Sequence, residues 1–353
     1  MTVSDFVVVG AGSAGSVAAA GLAQAGHTVT LIESGPSERH PLVKMPFGLF
    51  WLMGRKARDW CFQSTPQPGL GGRSIGVPRG RMVGGSGSIN SMVWFRGQKS
   101  DFDGWAVPGW GWDDVCPAFE AVEAQLKPTP IARPHALVSQ LYRLFGGNGD
   151  ITPDPSKTGF GRFRYNMSPG RRRSAADAFL RPAMATGRIR LVTGVTVDRL
   201  ELDQGQARSV MCTDGQQITA GQGVVICAGS IGSPAILMRS GIGPAGHLQD
   251  LGIPVVFDAP QVGQNLHDHP GVGLHFAGPR SGYGLTWGQA MAWAVAPLAV
   301  LFGRGRFASP TVEGGGFFNA RGIAAPPDVQ THFIPFKFPN PGAPGRYGAG
   351  YFA

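Results

Sequence analysis

The chain has 353 residues, enough for two domains, and carries 31 lysines and arginines against 22 aspartates and glutamates, a formal net charge of +9. Nucleic-acid binding would need that excess in a stripe, yet the one dense run is Arg171-Arg172-Arg173, so the charge reads as a scattered basic surface. The longest apolar stretch, Ala290 to Phe302, is too short to span a bilayer and holds Pro297, which excludes a transmembrane helix; an amphipathic or buried segment that touches a membrane surface is left open but unsupported.

In chain order, Asp5 to Val9 is a short apolar run of the kind a parallel strand buried on both faces requires. It opens so early that no secretory signal peptide precedes it in this chain. Gly10, Gly12 and Gly15 follow, for a tight turn, for close approach of backbone to a pyrophosphate, and for close packing of helix on strand. Ser13 and Ala14 open a helix that the alanine-rich sequence carries to about Ala25, where Gly26 caps it. The free N–H groups at its start suit phosphates. The strand Thr28 to Ile32 then delivers Glu33, whose carboxylate accepts from ribose hydroxyls and repels a 2′-phosphate, so FAD or NAD is favoured over NADP.

Glycine and proline are abundant, 55 and 29 residues, but they punctuate well-formed apolar segments rather than forming low-complexity tracts. The exception is Pro66 to Gly87, a long loop without periodicity, and such loops in compact domains are usually functional. It leads into a second glycine motif, Gly80-Arg81-Met82-Val83-Gly84-Gly85-Ser86-Gly87-Ser88-Ile89-Asn90. One glycine motif says only dinucleotide; the pair points to FAD and redox chemistry. Further on, Val195 to Leu202 reads as a strand, and Val224 to Ala228 as a buried strand. Ser233 is expected to cap a helix with Pro234 in its first turn, and Gly241 to end it. Cys61, Cys116, Cys212 and Cys227 lack metal-type spacing and read as reduced packing residues, consistent with the cytoplasm. His267 and His269 flank Asp268, but no third ligand accompanies them, so a structural role is expected and no metal.

These motifs resemble those of the glucose–methanol–choline (GMC) flavoprotein oxidoreductases. Gly80 to Asn90, continued by Ser91-Met92-Val93-Trp94-Phe95-Arg96-Gly97, is similar to the family's first signature, and Gly229 to Gly243 to its second. Val262 to Pro270, Asp101 to Trp105 and Glu313 to Phe317 also resemble family stretches, nearest the choline and alcohol dehydrogenase branch, and the likeness runs from Asp5 almost to Ala353. It implies an α/β fold with a discontinuous Rossmann-like FAD-binding domain, residues 1–150 and 187–272. A second, incomplete substrate domain on an antiparallel sheet would take residues 151–186 and 273–353.

The resemblance further implies that Met82, Gly85, Asn90 and Val93 lie along the flavin ring and ribityl chain, that Val197 meets the adenine through its backbone, and that Ala228 and Gly229 pass close to the cofactor. Ile89 stands where some members attach FAD through histidine, so FAD is expected to be non-covalent. Ser91, Glu313 and His332 are the expected substrate contacts, Glu313 matching a carboxylate that faces trimethylammonium in choline-oxidising relatives. The implied activity is oxidation of an alcohol to an aldehyde, choline or another primary alcohol, with hydride passing to flavin N5 and a base taking the hydroxyl proton. In the family that base is a histidine paired with His or Asn in a C-terminal segment, for which this chain has no counterpart. No catalytic residue is therefore assigned, and little activity is expected of residues 1–353. A hydroxynitrile lyase on the same fold and a non-catalytic flavoprotein fragment remain the alternatives. The electron acceptor is not specified by these residues.

Overall fold

The computed structural model describes residues 3–144, 154–168, 170–277, 282–284, 287–322, 325–336 and 350–352. They form two compact units: residues 1–43, 50–90 and 174–270 make the first, and 44–49, 91–173 and 271–353 the second.

The first unit is built on β1 (Ser4–Val9), α1 (Ser13–Gln24), β2 (Val29–Glu33), β3 (Ile189–Thr193), β4 (Val197–Asp203), β5 (Gln206–Cys212), β6 (Gln217–Ile226) and α2 (Gly229–Arg239). Its six-stranded sheet runs β3-β2-β1-β6-β5-β4. The β3, β2, β1 and β6 strands are parallel, as in a dinucleotide-binding fold, while β5 and β4 return as antiparallel hairpins. Every residue of β2 is buried, which its Val-Thr-Leu-Ile composition permits only in a sheet covered on both faces. Val7, Val9, Ile32, Val197, Leu200, Val210, Cys212, Ala220 and Ile236 make one core beneath it.

Helix α1 lies close on this sheet because its inner face is small: Gly15, Ala19, Ala20 and Ala23 are buried. A Cβ at Gly15 would sit 1.8 Å from the Gly10 carbonyl oxygen, so only glycine lets the helix start so near the strand end. The helix closes as expected, with Gly26 at φ +98° just past it.

Helix α2 corrects the sequence expectation. It begins at Gly229 on Ala228, so Ser233 caps nothing and Pro234 lies inside the helix. Gly229, at φ +81°, turns the chain almost as soon as β6 ends and starts the helix five residues early. Pro234 denies the Ser230 carbonyl its partner, tolerable because Ser230 is exposed. The far end is as read: Gly241 is at φ +81°, and the buried Ser240 hydroxyl donates to the Ile236 carbonyl while accepting from Leu200 N–H.

The second unit holds two three-stranded antiparallel sheets. One pairs Gly314–Phe318 with Val329–Phe333 and Gly159–Gly161; the other pairs Arg164–Tyr165 with Val93–Trp94 and Thr129–Pro130. Met92, Phe163, Tyr165 and Val312 form one buried cluster, and Val138, Tyr142 and Phe333 another. The unit boundaries differ from those the sequence suggests. Residues 91–144 join the second unit because Val93–Trp94 enters its sheet and helix Ala136–Leu144 packs on Phe333. Residues 174–186 join the first, where the Arg181 guanidinium grips buried Glu38 at 2.6 Å. The apolar stretch 290–302 is three short pieces, Ala290–Ala294, Ala296–Ala299 and Val300–Phe302, and no helix among the described residues is long and apolar enough to cross a membrane.

Helix Trp112–Leu126 is tied to the second unit's sheet by Glu123, which accepts from Trp94 Nε1 at 2.7 Å and from Arg96 at 3.0 and 2.7 Å. The Arg96 bond holds its carboxyl down from 4.5 to about 2. A depressed folded pKa adds stability above pH 4.5 that disappears as pH falls toward about 2. Glu123→Gln is expected to cost roughly 1.5–3 kcal/mol at neutral pH, the worth of hydrogen bonds to a charged group. Urea unfolding at neutral pH and at pH 3 checks this: the variant should lose less stability on acidification than the parent chain.

Candidate functional site

The two glycine motifs meet at Ala11. Its N–H donates to Glu33 Oε2 at 3.0 Å, and its carbonyl accepts from Gly84 N–H at 2.7 Å. The other Glu33 oxygen accepts from Gly35 N–H at 2.9 Å. Both motifs need glycine for this approach. Gly85 is at φ +53°, and a Cβ on it would fall 2.8 Å from the Gly12 Cα. Gly35 and Gly80 are equally confined, with hypothetical Cβ atoms 1.9 Å from the Arg81 oxygen and 2.2 Å from the Gly85 oxygen.

Around this junction opens a cavity of about 790 Å³, within the range of cofactor sites. Gly10, Gly12, Ser13, Ala14, Glu33, Gly85, Val197, Ala228 and Gly229 line it, nine of the thirteen cofactor residues expected from the sequence. At its floor, the first helical bond of α1 is Ser16 N–H to the Gly12 carbonyl, so the N–H groups of Ser13, Ala14 and Gly15 precede the ladder and lie at the positive end of the helix. The Glu33 carboxyl is pushed above its usual range by burial, against the Gly35 and Ala11 N–H groups that favour the anion. Its oxygens accept from backbone N–H groups and line the cavity, where lone pairs can serve hydroxyl donors. Donors at a helix start, a carboxylate opposite and a glycine floor fit a dinucleotide such as FAD.

The other four expected residues lie elsewhere. Gly15 packs helix on strand. Met82 is wholly buried with Val43, Leu52 and Ile89. Asn90 is exposed at the end of its segment of the first unit, and Val93 belongs to the second unit beside the Met92 cluster. The sequence reading missed Trp60 and Phe62, whose rings stack 5.6 Å apart, and Arg79 and Arg239, all of which line the cavity. Arg79, directly before Gly80, was the legible signal; the two aromatic residues carry none until the hairpin Phe62–Gln63 with Gly76–Val77 folds them back.

His267 and His269 lie outside any strand. His267 Nδ1 bonds to the Asn265 carbonyl, and Asp268 pairs with Arg79 at 3.2 Å. Among the described residues no group of three His, Cys, Asp or Glu could hold a metal ion.

In the second unit, Ser91 is half-buried and precedes the strand Val93–Trp94. His332 stands opposite Gly315, edge-on to Phe163, and lines an apolar cavity of about 510 Å³ with Phe160, Phe318 and Phe333. Glu313 does not present its carboxylate as expected. It is 0% exposed and accepts from His135 N–H at 2.5 Å, Tyr283 OH at 2.6 Å and Ser309 OH at 2.7 Å, and it lines neither cavity. Three donors and complete burial make it an internal anchor.

A family model described as GMC oxidoreductase matches residues 4–271. The oxygen-dependent choline dehydrogenase of Brucella canis is 35% identical over 378 residues, an alignment covering 99% of this chain and 68% of that protein. Pyridoxine 4-oxidase from Mesorbium loti is similar in structure, with a TM-score of 0.78 and 28% identity over 99% of this chain and 70% of that one. An FAD-dependent oxidoreductase from Chaetomium thermophilum has a TM-score of 0.75 and 25% identity, covering 89% and 61% respectively.

Two substitutions test the junction. A branched Cβ at Gly12 would fill the space where backbone meets phosphate, so Gly12→Val should abolish FAD uptake although its Cβ contacts only the Gly85 Cα, at 3.8 Å. Gly85→Ala should lower flavin content severalfold, through about 1–2 kcal/mol of left-handed strain and the clash with Gly12. Flavin absorbance per protein after purification measures both; full flavin in Gly12→Val would relocate the site.

Proposed function

The chain belongs to the GMC oxidoreductases, FAD-dependent enzymes acting on CH–OH donors, and from that membership we propose that it serves the oxidation of a primary alcohol to its aldehyde. The single observation that carries this reading is the Ala11 junction, which brings two glycine loops, a helix start and a buried carboxylate around one cavity. In this proposal the Ser13, Ala14 and Gly15 N–H groups hold the pyrophosphate and Glu33 orients the ribose hydroxyls. Val197 borders the adenine through its backbone, and Gly85, Ala228 and Gly229 flank the rest of the cofactor. Bound FAD supplies the hydride acceptor.

The choline dehydrogenase relatives make choline one candidate. A neutral primary alcohol is equally consistent with the residues of the second unit, because the Glu313 carboxylate is occupied by His135, Tyr283 and Ser309 and does not carry a preference for a cation. His332 is the proposed substrate contact, supported by its place beside an apolar cavity. Anaerobic mixing with choline and with a panel of neutral primary alcohols tests the activity: bleaching of the flavin absorbance supports oxidation. An alcohol or cyanohydrin that is converted without bleaching would favour lyase chemistry.

FAD is proposed to be held without a covalent bond. Ile89 has only carbon in its side chain and packs with Val43, Leu52 and Met82 in a closed cluster. Acid precipitation is expected to leave all the flavin in the supernatant. Yellow precipitated protein would overturn this.

A further inference from the structure

The stretch 287–302 presents an apolar face to solvent. Trp287 is 97% exposed, Met291 75%, Leu298 63% and Phe302 74%, with Val295 and Leu301 also outward. Their spacing of three and four residues follows successive turns of short helices, so they share a side. The opposite side is fixed. Trp293 packs against Phe47, Phe307 and Phe336 at 5.8, 5.9 and 6.3 Å, and the Arg306 guanidinium lies 4.8 Å from its ring. Ala296 is fully buried. The segment cannot roll its large side chains inward without giving up that cluster.

We infer that this face seats the protein on an anionic membrane surface. A contiguous apolar surface of this kind marks an interaction site. Its electrostatics select the partner. From His269 to Val312 the sequence contains no aspartate or glutamate, while Arg304 is cationic. Arg304 is exposed two residues beyond Phe302. A second copy of the chain would bring another +9 toward this face, whereas anionic headgroups attract it. Tryptophan at one end of the stripe suits the headgroup level, and the short apolar helices suit shallow insertion. The absence of any membrane-crossing helix among the described residues fits a surface attachment of this kind.

The test uses the FAD-loaded chain and sedimentation with vesicles of phosphatidylcholine alone or mixed in equal parts with phosphatidylglycerol. Binding is expected to the mixed vesicles and to be about tenfold weaker both to phosphatidylcholine and in high salt. The double variant Met291→Glu with Leu298→Glu should lose about tenfold in vesicle binding while keeping its flavin content and melting temperature, since both positions are exposed. The blue shift of tryptophan emission on adding vesicles should shrink in Trp287→Phe. No sedimentation with the mixed vesicles, or equal sedimentation of the double variant, would overturn the inference. So would a lipid-free dimer in sedimentation velocity that the double variant abolishes, because the face would then belong to a second copy.

Discussion

The cofactor unit depends on one peptide group pair, the two faces of Ala11. Its N–H is held by the Glu33 carboxylate and its carbonyl by Gly84 N–H, so the turn after β1, the end of β2 and the second glycine loop share a single residue. Backbone groups can only converge so closely where side chains are missing, and the neighbours at this point are Gly10, Gly12, Gly35 and Gly85. Glu33 thereby does two things at once. It closes the loops from behind and lines the cavity in front, and its burial is tolerable because backbone N–H groups answer both oxygens.

Much of this was legible in the sequence because local chemistry dictates it. Gly15 has to be glycine where a helix begins against the Gly10 carbonyl, and Gly26 ends the helix in a conformation that a side chain resists. The acid after β2 follows from strand register, since Ile32 stands beside Val9 and the next residue must emerge at the carboxyl edge of the sheet. What the sequence concealed are features set by distant partners. Ser233-Pro234 has the composition of a helix start, yet Gly229 begins the helix earlier, so a local cap signal lost to the geometry of the strand end. Trp60 and Phe62 reach the cavity through a hairpin whose two strands have two residues each, too short for any periodicity to announce.

Glu313 shows the same limit in the second unit. The family resemblance implied a substrate-facing carboxylate at Glu313, but Gly314–Phe318 is pressed between two strands. A Cβ at Gly315 would lie 1.9 Å from the Thr331 oxygen, and one at Gly316 2.3 Å from the Gly159 oxygen. The strand that the glycines make possible draws Glu313 inward, to donors from residues 135, 283 and 309 that no local pattern could associate with it.

The two buried acids also act alike in their pH dependence, and opposite to Glu123. Burial raises the carboxyls of Glu33 and Glu313, so the folded chain holds their protons more tightly than the unfolded one does. Their contribution to stability is therefore greatest at low pH and declines as pH climbs from the ordinary carboxylate value through the raised folded value. Glu313 accommodates either state, because the Tyr283 and Ser309 hydroxyls donate to an anion and accept from a neutral acid after rotating. Glu33 is less free: its protein partners are N–H groups, which can only donate, and they favour the anion despite its burial. The same backbone bonds that shape the loops thus oppose the upward push of burial and favour the carboxylate form that accepts from ribose hydroxyls.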